Sequence, residues 1–195
     1  MDQHPTTHTI GTPAWRWLLA LALAFALAAC GFDPTSTPVQ GQAGGGGLSP
    51  ELVAQNFFDD LSAALKDKQI SNDTKRSKWV DQLASYFAPA ERDDIKVALS
   101  TALDTYVDGL GKLGTNEAIT LDVKYDRIET ISEDGNRALV RPINGSIYLL
   151  ITRTTETGAV ITLWEQDDPL NKIIGNADGA VPAVRIGRTW FLSEG

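Results

Sequence analysis

An α+β domain, with three helices packed on a curved antiparallel sheet, is what residues 49–195 predict. Three features of the chain lead there. Apolar residues recur at helical spacing as far as Leu110, the period drops to two beyond Gly114, and glycine-bearing turns divide the rest of the chain. At 147 residues the stretch is long enough for one domain with a substantial core.

Each element has its own local signal. Ser49-Pro50-Glu51 combines an N-cap, a proline at the first helical position and an acid in the first turn. Val53, Phe57, Leu61 and Leu65 recur at every fourth residue, so a first helix runs to about Lys68. A second is expected over Lys75–Phe87, with Val80, Leu83 and Phe87 on one side and Pro89 ending it. A third covers Ala90 to about Leu110. Glu91, Asp93 and Asp94 complement its positive end, Ile95, Leu99, Leu103, Tyr106 and Leu110 keep the period, and Gly109, Gly111 and Gly114 terminate it. Ile119, Leu121, Val123 and Tyr125 then alternate with Thr120, Asp122, Lys124 and Asp126, a half-buried strand. Ile128 and Ile131 break that parity, which predicts a bulge near Asp126-Arg127. Glu133-Asp134-Gly135-Asn136 is a hairpin turn. For Arg137–Arg153 two readings stand. One is a long strand bent at Gly145, because Leu139, Ile143, Ile147, Leu149 and Ile151 share a parity; the other is a tight hairpin at Asn144-Gly145. Gly158 turns into a strand over Ala159–Glu165, and Asp168-Pro169 to Gly175 reads as a short helix or turn capped by Asp168. Val181–Ile186 and Thr189–Leu192 make a last hairpin about Gly187-Arg188.

This element order, with the closing Gly187-Arg188-Thr189-Trp190 turn and strand, resembles the nuclear transport factor 2-like superfamily over most of residues 49–195. The resemblance implies a cone-shaped sheet around its helices and a pocket between them. It leaves the function open, since the superfamily hosts ketosteroid isomerase, polyketide cyclases, epoxide hydrolases and non-catalytic accessory domains.

Residues ahead of the domain read as an address and an anchor. Trp17–Ala29 is an unbroken apolar run preceded by Arg16. Its 13 residues rise roughly 20 Å as a helix, short of the ~30 Å hydrocarbon core, so a signal peptide over residues 1–29 is expected rather than a span. Leu27-Ala28-Ala29-Cys30 resembles the lipobox of bacterial lipoproteins, which implies cleavage between Ala29 and Cys30 and a diacylglycerol on the Cys30 thiol. A conventional cut after Ala26-Leu27-Ala28 is the other reading, and it leaves the chain's only Cys as a lone exposed thiol. Gly31 stands where the inner-membrane retention signal of a two-membrane cell has Asp. Residues 30–48 hold the lipidated Cys and a flexible tether ending in Gly44–Gly47, too poor in apolar side chains to offset its chain entropy. Such a tether of 18 residues has an r.m.s. span of roughly 20–25 Å.

Charge and composition narrow the chemistry. Lys+Arg number 17 against 25 Asp+Glu, a net charge of −8 with no basic block, which excludes a phosphate-tracking nucleic-acid binder. Both histidines, His4 and His8, fall within the signal peptide. The mature chain therefore has no His for a Ser-His-Asp triad, a Cys-His pair, a His-Asp dyad or a His-ligated metal. Carboxylate chemistry survives, because apolar walls can raise an Asp into the range of a base. Asp122, Asp126, Arg137 and Arg141 lie on strands, but Asp122 and Asp126 oppose the apolar parity and read as solvated. Asp167, Asp168, Asn171, Asn176 and Asp178 offer oxygen ligands without EF-hand spacing, so no metal and no cofactor is expected. Asn72-Asp73-Thr74 and Asn144-Gly145-Ser146 match glycosylation acceptors, accidental ones beside a bacterial lipobox.

The expectation is a lipid-anchored extracytoplasmic protein of a bacterial membrane, its domain a non-catalytic module that binds a ligand or a protein. A His-free enzyme of the ketosteroid isomerase or epoxide hydrolase type, acting on a small apolar ligand, is the alternative. Tyr125, Tyr148, Leu150, Trp164 and Trp190 are the candidate pocket or interface residues. Ile147–Ile151 and Val160–Trp164 are apolar at both parities, so a homodimer contact or an envelope protein is expected on the helix-free sheet face, with Leu150 and Trp164 as anchors.

Overall fold

A computed structural model describes residues 45–173 and 179–195. Ala29, Cys30, the expected signal peptide and the first part of the expected tether lie outside the described residues, as do Gly175, Asn176 and Asp178. The order is three helices and then seven strands. They are α1 (Pro50–Lys66), α2 (Asp73–Ser85), α3 (Arg92–Leu110), β1 (Glu117–Lys124), β2 (Arg127–Asp134), β3 (Arg137–Ile143), β4 (Ser146–Thr154), β5 (Val160–Pro169), β6 (Val181–Ile186) and β7 (Thr189–Leu192). The α+β class expected from the sequence is thus what the chain adopts. The strands form two antiparallel sheets, ordered β1-β4-β5 and β2-β3-β6-β7.

Local chemistry sets the helix ends. The Ser49 side chain accepts from the Leu52 N–H at 3.2 Å, and the Asn72 side chain accepts from Lys75 N at 3.1 Å, each satisfying an orphan amide of a first turn. The Asn72 cap starts α2 two residues before the expected Lys75. Glu91 precedes α3 without capping it; its carboxylate turns back to accept from Ser193 Oγ and the Glu194 N–H, tying the C-terminus down. α1 buries Val53, Ala54, Phe57, Phe58, Leu61, Ala64 and Leu65 and lies across β1 and the four-stranded sheet. Phe57 meets Phe58, Tyr86 and Phe87 edge-on, with ring centroids 5.4–6.2 Å apart.

The register decides between the two readings of Arg137–Arg153. Glu117↔Arg153 through Lys124↔Ser146, then Arg127↔Ile143 through Thr130↔Val140, form one uninterrupted antiparallel register across both sheets. β1–β2 and β3–β4 are therefore two long strands paired throughout and bent together, and β3 does not pair with β4. Asn144-Gly145 is the corner, not a hairpin turn. Asn144 sits at φ 52° and its Nδ2 donates to Asp126 Oδ2 at 2.7 Å, while Asp126 N donates to the Ile143 carbonyl at 3.0 Å. A Cβ on Gly145 would meet Leu170 Cδ1 at 2.7 Å and Pro142 Cβ at 3.0 Å, so the absence of a side chain lets Leu170 and Pro142 close over the corner. The bulge expected near Asp126-Arg127 lies instead at Ile131, between Thr130 and Ser132. What sequence parity registers near Asp126 is the corner itself.

Two further expectations change. Asp168 caps no helix: it belongs to β5, and a 3₁₀ turn over Leu170–Lys172 comes after Pro169. The flexible tether expected over residues 30–48 also ends early, because its last glycines join the fold. Gly47 is buried and exchanges two backbone hydrogen bonds with Trp190, at 2.9 and 2.8 Å. A Cβ on Gly46 would stand 2.1 Å from Thr189 Cγ2, and Gly45 takes φ +88° against Ser85. These glycines serve close approach rather than looseness.

Candidate functional site

The five aromatic and aliphatic residues that the sequence marks as a pocket or interface do not converge. Trp190 is 4% exposed on β7, with the Arg185 guanidinium 5.4 Å from its ring centroid; it is core. Tyr125 leans on Phe58 of α1, at a ring distance of 6.0 Å, and donates to Asp59. Tyr148 and Leu150 share the outer face of the three-stranded sheet, and Trp164 lies on the opposite face, because Leu150 pairs with Glu165 while Ile151 pairs with Trp164. Leu150 and Trp164 therefore cannot anchor one patch.

That outer face is polar apart from Leu150, Ala118 and Val160. Thr120, Asp122, Lys124, Tyr148, Thr152, Glu165 and Asp167 occupy it by register. Lys124 Nζ stands 3.6 Å over the Tyr148 ring, and the Tyr148 hydroxyl donates to Glu165 at 3.0 Å. The hydrogen bond to Glu165 is the main cause raising the Tyr148 phenol above its usual range. The apolar surface expected across this face is confined to the start of β5. Val160, Ile161 and Leu163 are 65, 43 and 39% exposed. α1 packs on β1 and on the four-stranded sheet, whereas β5 packs on β4. A second bulge, at Leu163 between Thr162 and Trp164, shifts the side-chain sequence of β5 against β4. The Trp164 indole N–H donates to Gln166 at 3.3 Å, and Gln166 in turn donates to Asp168.

A second group of polar side chains lines α1. Asp59 accepts from Tyr125, Asp60 accepts from Tyr86 Oη at 2.6 Å, and Asp122 accepts from Ser62 Oγ at 2.7 Å and pairs with Lys66 at 2.6 Å. Asp122 opposes the parity of Leu121 and Val123, yet β1 is an edge strand and the carboxylate bends over to α1 instead of standing free in solvent. Partial burial would raise the Asp122 carboxyl; the bonds from Lys66 and Ser62 outweigh it and hold the group below the usual range. An aspartate so held is ionised and paired, the opposite of a base poised near neutrality. Burial first, then the bond to Asp60, pushes the Tyr86 phenol up to about 12, and the same two causes raise Tyr125 through Asp59. These tyrosines are neutral donors that brace α1 against α2 and β1.

Among the described residues no polar or charged residue is buried, and no cluster of three or more His, Cys, Asp or Glu is placed to hold a metal ion. Of the acidic loop, Asp168 is engaged by Gln166, and the backbone of Asn171 closes on Gly179 at a distance that leaves no room for a Cβ. No protein-family model matches the chain, and neither does any curated protein.

The run Val160–Trp164 is visible in the sequence as apolar at both parities. Its place at the unsupported end of a sheet is not, since that depends on which strands the helices cover.

Proposed function

We propose that the protein is a lipid-anchored extracytoplasmic lipoprotein whose domain, of nuclear transport factor 2-like type, is a non-catalytic module that binds another macromolecule through the start of β5. The observation that carries the binding reading is the uncharged, exposed run Val160–Leu163 at a sheet edge outside the helix layer. Exposed apolar surface of this kind marks contact sites in soluble domains. The long bent strand pairs and the helices gathered on their covered side support the superfamily reading. The lipobox Leu27-Ala28-Ala29-Cys30 supports the anchor, and among the described residues no helix is long and apolar enough to cross a membrane. Two acyl chains, at ~0.8 kcal/mol per buried CH₂, hold a domain durably where one is marginal.

The anchor and the surface are tested separately. In a bacterial host, Cys30→Ser is expected to abolish acyl labelling and leave the precursor uncut; unchanged labelling overturns the anchor. A photo-crosslinking residue at Leu163 is expected to yield a discrete adduct that the same residue at Glu133, exposed near the end of β2, does not. Equal or absent adducts at both positions overturn the binding surface.

A further inference from the structure

α1 covers one face of the four-stranded sheet. Ala138 and Val140, Val181 and Ala183, and Trp190 and Leu192 turn to that side and join the core. Leu139, Pro182, Val184, Ile186 and Phe191 alternate with them and face the other way, and none of the five belongs to the core cluster. A sheet face without helices is ordinarily polar. This one is apolar through its middle, where only Phe191 is buried. The entering chain extends it. Gly47 pairs antiparallel with Trp190, which sets Leu48 level with Thr189 at the edge of the same face. Leu48 precedes the cap of α1, where a hydrophobic staple would fold it onto Val53; at 85% exposed it makes none. Arginines rim the patch. Register places Arg127, Arg137 and Arg141 on this face, and Arg92 lies over the Phe191 ring. The acids of the face, Glu129 and Asp134, stand opposite Arg141 and Arg137, while Glu91 and Glu194 gather by Ser193 at the far end of β7. At the Leu48 end, Arg137, Arg185 and Arg188 outnumber Glu133 and Asp134, in a chain whose net charge is −8. Arg188 is exposed in the β6–β7 turn, and Arg185 donates only to neutral acceptors, Asn136 Oδ1 and the Gly135 carbonyl.

We propose that this face is the domain's membrane contact: it docks on a bilayer containing anionic lipid, with Leu48 and Ile186 at the headgroup–acyl boundary and Arg137 and Arg188 on lipid phosphates. The inference rests on the lipid-anchor reading. The place where the chain enters favours lipid over a protein as the occupant. Only residues 31–44 separate Cys30 from Gly45, a reach on the order of 50 Å when fully extended. Gly46 and Gly47 then join the fold along the β7 edge of this same face, against Phe191 and Trp190. An acylated Cys30 therefore keeps the face within reach of the bilayer, and tethering makes even a weak contact count. The chemistry suits that boundary, since apolar side chains enter the acyl region while guanidinium groups bond phosphate. Val160 pairs with Thr154, at the end of the bent strand pair remote from the Gly135 turn, so the docked domain leaves the start of β5 open to a partner.

Fluorescence quenching tests the proposal with the acylated chain reconstituted in vesicles. Acylation of Cys30 leaves an introduced cysteine as the only thiol, so Ile186→Cys on the face and Thr157→Cys in the β4–β5 turn can each carry a fluorophore. In vesicles of phosphatidylcholine with phosphatidylglycerol, nitroxide-labelled lipid is expected to quench the probe at 186 and not the probe at 157. Adding Arg188→Gln, with the fold checked by thermal melting, is expected to lower the ratio of docked to undocked domain about fivefold, the effect of one arginine charge at an anionic surface. Equal quenching at the two positions overturns the proposal. So does a probe at 186 that is shielded from water yet not quenched by lipid, which would mean that a second copy or another protein covers the face. A chain that carries no acyl group and does not stay with the vesicles overturns the anchor reading and this inference together. A vesicle-bound chain with no quenching at 186 overturns the inference alone and leaves the anchor standing.

Discussion

β7 and β5 are both last strands of their sheets and both apolar, yet one is buried and the other is not. Thr189–Leu192 is closed in on three sides: β6 pairs with it, α1 lies beneath it, and Gly47 and Tyr86–Ala88 complete its free edge. Its outward ring, Phe191, is covered as well, by Gly46 and by the Arg92 guanidinium 5.5 Å from the ring centroid. Val160–Trp164 has β4 on one side and solvent over most of the rest. Each segment is apolar apart from one Thr, so composition does not decide burial. What decides it is how many other segments the chain can bring to each strand. α1 and the entering backbone reach the four-stranded sheet and α1 also covers β1, whereas β5 at the far end of the three-stranded sheet has β4 as its neighbour.

The largest expected effect breaks that comparison at its core. Phe87, 2% exposed and in edge contact with Phe57, joins α2 to β7. Phe87→Ala should cost about 3–5 kcal/mol in denaturant unfolding, while Ile161→Ala on β5 should stay within about 0.5 kcal/mol. Comparable losses at both positions would mean that β5 is as well supported as β7.

Next is the glycine clasp. With Thr189 and Phe191 against the Cβ position of Gly46, Gly46→Leu should destabilise by about 1–3 kcal/mol through overpacking. A melting temperature equal to wild type would return residues 45–48 to the tether.

A smaller effect belongs to the link between α1 and β1. Because the Asp122 carboxyl is held below its usual range, its contribution is present above the unfolded-state value of about 3.9 and is lost as pH falls through the lower, folded-state value. Asp122→Asn should therefore cost less than about 1 kcal/mol at neutral pH, the scale of a partly exposed pair. It should also flatten the acid limb of the stability curve below about pH 4. An unchanged acid limb would show that Lys66 and Asp122 do not interact in solution.

The smallest effect is the sharpest test of the exposed end. Leu163→Lys should leave unfolding stability within about 0.5 kcal/mol. A loss above 1 kcal/mol would place Leu163 in the core.

Much of this architecture is legible in the residues. Ser49-Pro50, the four-residue spacing from Val53 to Leu65 and the alternation after Ile119 are local signals, and they lead to the right elements within a few residues. Sequence and structure part where a local signal has two tertiary meanings. Asn144-Gly145 suits a hairpin turn, but Asp126 and Ile143 bond across it and Leu170 closes over Gly145, so it folds as a corner. Gly44–Gly47 suits a tether, but Trp190 supplies a pairing partner for Gly47. Leu150 and Trp164 share the even parity that would place them on one face, yet the bulge at Leu163 separates them. Asp59 and Asp60 carry no signal in the sequence, because only the folded chain brings Tyr125 and Tyr86 to them.

By itself, then, the sequence determined the class, the order of elements, the apolar face of each helix and the run of β5 that no charge protects. Those depend on periodicity and capping, which act over a few residues. Tertiary structure alone decided which strand edges are closed, where the long hairpin bends and that the entering glycines clasp β7. Each of those depends on hydrogen bonds and steric contacts between residues tens of positions apart, such as Gly47 with Trp190 and Asp126 with Asn144, and no local pattern encodes the approach of two distant segments.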